Sequence, residues 1–355
     1  MLLSLTSLLL AACTSPVWAV STLRAPNGTC TTKLQRRAWH TFTVEEKKAY
    51  IDADLCLMSL PATLGLNGTK NRFEELQAIH QVQSSITHGV GAFLPYHRLH
   101  MYAHEQVMRD ECGYTGAQPY WDEVRDAGKF SQSDVLDPVT GFGGNGVGPE
   151  GCIVDGPFAN YSNGLGPGYF IGDNCINRFV SDKTSELSAQ EYIDRCYEKK
   201  TFVEFWPCAE NAPHRGGHGG VGGKMVDPIA SPGDPIFYLH HTWLDKIFWE
   251  WQALDLPARL TDIGGRTMQR RPDFGGGGNG SAPPFDWPGP PDESQWFPPP
   301  ESFIPPDWLP PQIPQGNPGN ETTLTHVLNM LGVIESATIA DVMDIGGPLL
   351  CYEYV

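Results

Sequence analysis

The chain has 355 residues and a formal net charge of −17, from 24 lysines and arginines against 41 aspartates and glutamates. That acidic balance disfavours nucleic acid or an anionic membrane as a partner, since both need basic patches. The length suffices for a large core in one or two domains, and no internal repeat is present.

Residues 1–19 read as a secretory leader. Leu8-Leu9-Leu10-Ala11-Ala12 forms an apolar core, and Val17-Trp18-Ala19 a small-residue cleavage pattern. The apolar run is too short to span a bilayer, and no other stretch is long and apolar enough to do so. A secreted, extracellular location is the expectation. Of nine cysteines, Cys13 leaves with the leader. The rest, Cys30, Cys56, Cys112, Cys152, Cys175, Cys196, Cys208 and Cys351, form an even set with no CxxC spacing. They predict up to four disulfides rather than a zinc ribbon. Sequons at Asn27, Asn67, Asn160, Asn279 and Asn320 fit an extracellular glycoprotein.

Thr43 and Glu46 make a capping box, which predicts a helix over 43–60. Asn71 with Glu74 predicts a second, in which Phe73, Leu76 and His80 share one face. His88 falls in a glycine-containing loop. Phe93-Leu94-Pro95-Tyr96-His97 reads as an extended approach to a third helix over 97–109, and Pro119-Tyr120-Trp121-Asp122 as an extended aromatic segment. Residues 127–180 are rich in glycine, asparagine and proline and predict long surface loops held by Cys152 and Cys175. Ser188 and Glu191 predict a capped helix over 188–199. Residues 234–251 open on Asp-Pro and continue as a helix with His241, Leu244 and Phe248 on one face. The proline- and glycine-rich stretch 272–319 carries tryptophans that favour a loop draped over the core above a free linker. Short helices are expected over 325–331 and 338–343.

Eleven histidines are present. His80, His88 and His97 form one cluster, followed by His100 and His104. His214 and His218 form another, followed by His240 and His241. Three plus three imidazoles is what a pair of metal ions needs for all-nitrogen first shells. Imidazole suits copper, zinc, iron and nickel. The lack of Glu-x-x-His repeats argues against a di-iron bundle, and the lack of a cysteine ligand against blue copper. Spacing alone leaves zinc and copper open.

His80, His88, FLPYHRLHMYAHE from Phe93 and PYWD from Pro119 resemble the first copper-binding region of tyrosinases and catechol oxidases. PHRGGH from Pro213 and DPIFYLHHTWLDKIFWEW from Asp234 resemble the second. The overall pattern is similar to the short secreted fungal members of this type 3 copper family, over most of residues 30–355. The resemblance implies a mainly α catalytic domain over 20–355, with a central four-helix bundle holding a dicopper site, long irregular loops and stabilising disulfides.

It also implies two copper ions. His80, His88 and His97 would hold one, and His214, His218 and His241 the other. His240 would stand beside the second site, and Asp245, one turn along, would orient a ligand histidine through its other ring nitrogen. Glu210 matches an acidic residue that in some relatives holds a water near the coppers, and could act as or position a base for the substrate phenol. The plainer reading is an exposed loop carboxylate. His100 and His104 read as packing residues.

Departures from the family pattern also count. Arg215 stands where many monophenol-hydroxylating relatives carry asparagine. It cannot accept a hydrogen bond and adds a fixed charge. This counts against monophenol hydroxylation and could favour a carboxylate-bearing substrate, although a rim arginine turned to solvent is the plainer reading. Gly216, Gly217, Gly219 and Gly220 predict a less regular or more open ligand segment. No cysteine is near His88, so no thioether is expected. Tyr352-Glu353-Tyr354 resembles the motif that closes the catalytic domain and packs on an N-terminal arginine, here Arg36 or Arg37. The chain stops one residue later, so no C-terminal lid domain is expected. The implied chemistry is oxidation of o-diphenols to o-quinones with O2, with o-aminophenols and phenolic acids as further substrates. Full tyrosinase activity, haemocyanin-like oxygen binding and a zinc hydrolase are the alternatives.

Overall fold

The computed structural model describes residues 30–269, 316–317 and 319–355. The leader, the sequons at Asn27 and Asn279, and most of the proline-rich stretch lie outside them. Helix α1 (Val44–Ser59) begins with the expected reciprocal cap. The Thr43 hydroxyl accepts the Glu46 N–H at 3.2 Å, and the Glu46 carboxylate accepts the Thr43 N–H at 2.8 Å. In α2 (Arg72–Gln81) Asn71 Oδ1 accepts the Glu74 N–H at 2.9 Å. A single turn, α3 (Ser84–Thr87), leads to His88.

Helix α4 (Phe93–Cys112) starts four residues ahead of His97, so the stretch expected to be extended is helical. Pro95 is tolerated there because a first-turn residue has no intrahelical partner for its N–H. The helix stops at Gly113, whose φ of 66° lets its N–H turn back to the Met108 carbonyl. Short α5 (Glu123–Asp126) and α6 (Asp182–Ser185) follow, then α7 (Gln190–Tyr197), α8 (Phe202–Asn211), α9 (Pro213–Val221), α10 (Ile236–Ala253) and α11 (Ile339–Val342). Ser188 does not cap α7, which begins after Ala189; its hydroxyl is drawn to Glu123 instead. The short helix expected over 338–343 forms as α11, with Thr338 as its N-cap. Residues 325–331 form no helix. Val327–Leu328 (β4) pairs antiparallel with Ala337–Thr338 (β5), a tertiary pairing that overrides local propensity.

Helices α2, α4, α9 and α10 form the central bundle. Helix α4 is buried on nearly every side from Phe93 to Met101, as a central helix must be. Against it α10 lays Phe237, Leu244 and Phe248, and Trp251 stacks on Phe205 of α8 at 4.6 Å. The mainly α fold with a four-helix core is therefore as expected. Residues 127–181 are largely irregular around a hairpin of Ser162–Leu165 (β2) and Ile171–Cys175 (β3), closed by Cys152–Cys175. The other disulfides are Cys30–Cys351, Cys56–Cys112 and Cys196–Cys208. All eight expected cysteines are thus paired, and none is left to join His88.

Strand β1 (Leu34–Arg36) runs parallel to Tyr352–Tyr354 (β6), which brings both segments onto α10. There Asp245 accepts hydrogen bonds from Arg98 Nε, the Tyr352 hydroxyl and the Tyr354 hydroxyl, and lies 3.5 Å from Arg36 Nη1. Arg36 also pairs with Glu105 at 2.7 Å and lies 3.5 Å over the Tyr352 ring, so it is the arginine of the Tyr-x-Tyr contact. Arg37 turns to Glu46 and Phe42. The expectation for Asp245 is overturned. It orients no histidine, because two buried guanidiniums require its charge.

On either side of the proline-rich stretch the chain is hydrogen-bonded to itself. Thr322 N–H donates to the Gly265 carbonyl at 2.7 Å, and Thr267 Oγ1 to the Gly319 carbonyl at 2.9 Å. Among the described residues no helix is long and apolar enough to cross a membrane.

Candidate metal centre

Each histidine is placed by a helix end or a helical face. His80 ends α2, His88 follows α3, and His97 sits near the start of α4. His214 and His218 stand four apart on α9, hence on one face; His240 and His241 lie in the first half of α10. Two groups result: His80, His88 and His97, and His214, His218, His240 and His241. Within each group the candidate donor nitrogens all lie within 4.8 Å of one another. His97 and His241 stack at 4.2 Å, so the groups adjoin.

The hydrogen bonds set the tautomers. Nδ1 of His80 donates to the Ile229 carbonyl at 3.0 Å, His88 to Ser84 at 3.1 Å, His97 to Phe93 at 2.8 Å and His214 to Glu210 at 3.2 Å; His218 donates to Met225. A carbonyl only accepts, so Nδ1 carries the proton and Nε2 offers a lone pair. The buried Nε2 atoms of His80, His97 and His214 have no hydrogen-bond partner. His218 and His241 bring their Nε2 atoms to 3.1 Å. Two donors about 2 Å from one tetrahedral ion would stand about 3.3 Å apart. Desolvation holds these imidazoles neutral, with His88 lowered to about 4 and His80, His97, His214, His218 and His241 well below their ordinary value. Neutral nitrogen donors with buried, unpaired lone pairs fit a pair of copper ions.

The glycines of α9 do not loosen it. The segment is helical from Pro213, whose fixed φ suits a first helical position. A Cβ at Gly216 would lie 2.5 Å from the Ser188 hydroxyl, one at Gly217 would overlap His240, and one at Gly220 would lie 2.5 Å from the Phe130 ring. The glycines let α9 press against its neighbours, so the expected open segment is instead a tight one. His100 bonds the Leu76 carbonyl at 3.0 Å. His104 lies between Asp54 at 2.8 Å and Gln118 at 3.1 Å, stacked on Tyr238 at 3.7 Å. Both are packing residues, as expected.

Glu210, at the end of α8, is half-buried rather than an exposed loop carboxylate. Its Oε1 accepts the Gly89 N–H at 2.7 Å, beside His88. Burial raises its carboxyl to about 7, against the opposing pull of that N–H, Arg215 and Arg266. Arg215 is exposed on α9 and within electrostatic reach of Glu210.

One residue at the centre went unread in the sequence. Glu123 Oε1 accepts from His240 Nδ1 at 2.5 Å, and its Oε2 accepts from the Ser188 hydroxyl at 2.8 Å. Burial raises the Glu123 carboxyl well above its ordinary value. His240 thus lies within the second group with an unforeseen partner 117 residues away in sequence. The only local hint was an acidic pair directly after an aromatic run.

A family model described as the common central domain of tyrosinase matches residues 70–254. A tyrosinase-like protein of Diaporthe leptostromiformis, phomQ1, is 29% identical over 358 residues, which cover 94% of this chain and 80% of that protein. The tyrosinase ustQ of Aspergillus flavus is 29% identical over 338 residues, covering 92% of this chain and 80% of its own. Among solved structures, a mutant polyphenol oxidase from Thermothelomyces thermophila aligns with a TM-score of 0.70 at 26% identity, over 91% of this chain and 89% of that one.

Proposed function

Because this chain belongs to the tyrosinase family, whose members oxidise phenols with copper and O2, we propose that it oxidises o-diphenols to o-quinones and hydroxylates monophenols weakly at most. The observation that carries the copper part is the set of neutral imidazoles with Nδ1 tied to carbonyls. His80, His88 and His97 would hold one ion, and His214, His218 and His241 the other. The bound pair supplies two-electron exchange between the phenol and O2.

The protein's own part is positioning and proton handling. Carbonyls behind the imidazoles keep the rings from turning and keep Nε2 unprotonated. In this reading Glu210, held by the Gly89 N–H beside His88, takes a proton from an incoming phenol. Arg215, directly after His214, offers a donor and a fixed charge in place of an acceptor, so it cannot share the positioning of a water with Glu210. Its exposure supports contact with an acidic substituent of the substrate, which is the basis for including phenolic acids; o-aminophenols fit the same electron exchange.

Oxygen uptake with a matched monophenol and o-diphenol tests this reading, on the wild type and Arg215→Asn. Diphenol turnover is expected to dominate in the wild type, and the monophenol share to rise in Arg215→Asn. Equal monophenol turnover by the wild type, without a lag, refutes it. We also propose that the protein is exported. Four disulfides and the exposed sequons Asn67, Asn160 and Asn320 support this, and a mobility shift of the natural protein on glycosidase treatment is the check.

A further inference from the structure

The ligand histidines whose Nδ1 meets a carbonyl do so in two different ways. His88, His97 and His214 each turn to the carbonyl four residues back in their own segment, that of Ser84, Phe93 and Glu210. His80 and His218 stand in the last turns of α2 and α9 and reach outside their helices instead. His80 donates to the Ile229 carbonyl at 3.0 Å, and His218 to that of Met225. The short stretch 225–229 thus orients a histidine of each group. Its Pro228 carbonyl also accepts the Ser84 hydroxyl at 2.7 Å.

Residues 227–230 belong to no helix or strand, so no regular backbone ladder sets where these carbonyls point. The Asp227 carboxylate takes that part. Its Oδ1 accepts the Ile229 N–H at 2.9 Å and the Ala230 N–H at 3.1 Å, an Asx turn built on Asp-Pro. Its Oδ2 accepts the Gly168 N–H at 2.5 Å, between the two strands of the β2–β3 hairpin. The Gly168 carbonyl in turn accepts Gln81 Nε2 at 2.7 Å, from the side chain directly after His80. Met225 lies in the short 3-10 turn just before, which the Asp227 N–H joins at the Lys224 carbonyl, 3.1 Å away. The carboxylate therefore fixes the turn from within and ties it to the hairpin and to α2.

Resting on the reading that the two groups hold copper, we propose that Asp227 is a positioning residue for both metal positions. It fixes one turn whose carbonyls orient His80 in the first group and His218 in the second. Backbone carbonyls behind ligand imidazoles set the tautomer and the ring angle, so a turn that drifts loosens both rings at once.

Copper titration of the metal-free protein against a chelator gives the number of ions and an affinity for each. Ring N–H exchange in histidine-labelled, metal-free protein, followed by NMR, reads the orientation without any metal. Asp227→Ala is expected to weaken both ions by about tenfold. It should speed exchange of the His80 and His218 Nδ1 protons by about tenfold, while those of His97 and His214 stay within about twofold. A merely structural role would move all four rings alike. Asp245→Asn, which disturbs the core away from this turn, should leave both affinities within about twofold. In the folded Asp227→Ala protein, unchanged exchange at His80 and His218 overturns the proposal, as do unchanged affinities, weakening of one ion alone, or equal acceleration of all four rings. Fewer than two ions in the wild type would sink the copper reading, and ring exchange would still decide what Asp227 orients. Should Asp227→Ala not fold, Asp227→Leu keeps the bulk without the acceptors and carries the same comparison.

Discussion

Asp245→Asn separates two accounts of one residue. In the structure its carboxylate answers two buried guanidiniums and two tyrosine hydroxyls. Breaking a buried ion pair by neutralising one partner costs about 3–5 kcal/mol. The lower end applies here, because Arg36 keeps Glu105, and Arg98 keeps Gln252 and the carbonyls of Val342 and Met343 at 3.0 Å each. For a chain of this size the unfolding entropy is about 0.6 kcal/mol/K, so about 3 kcal/mol lowers the melting temperature by about 5 °C. Calorimetry on metal-free protein measures this without the contribution of bound ions. Copper affinity, measured separately, should stay within about twofold. If Asp245 instead oriented a ligand histidine, affinity would fall about 10–100-fold. An unchanged melting temperature together with that loss refutes the network account.

Two further outcomes follow from packing and burial. Gly217→Ala forces a methyl onto His240 and Glu123 and should cost about 1–3 kcal/mol in a urea titration of the metal-free protein; an unchanged midpoint contradicts the close approach. Lys224 is buried against Asn174, and desolvation lowers its ammonium to about 8. Below pH 8 both states hold the proton, and the folded state bears the full penalty of a buried charge. Between about 8 and 10.4 only the unfolded state keeps it, so stability rises with pH there. Relative to Lys224→Met, the wild type should gain up to about 3 kcal/mol across that window in urea titrations, and a flat difference refutes the assignment.

Some of this molecule was legible because its code is local. Thr43 with Glu46 and Asn71 with Glu74 bond within one helical turn, so sequence spacing specifies them. His214 and His218 share a face for the same reason. What was misread depends on partners far along the chain. Asp245 looked like a helper of His241 because they share α10, yet it is claimed by Arg36, 209 residues away, and by Arg98, 147 away. Ser188 looked like a cap, but Glu123 takes its hydroxyl from across the core. Pro95 suggested extended chain where it only marks a first turn. The glycines of α9 suggested slack, because nothing local shows how closely Ser188, His240 and Phe130 approach.

The bond between Cys30 and Cys351, 321 residues apart, makes most of the chain a covalent ring. One proteolytic cut inside it opens the ring without dividing the molecule. At Val139, which is 84% exposed, such a cut would place His80, His88 and His97 on one piece of peptide and His214, His218, His240 and His241 on the other. Electrophoresis without reductant would show a single species, and with reductant two. The two halves of the metal centre would then belong to separate fragments, tethered by sulfur alone.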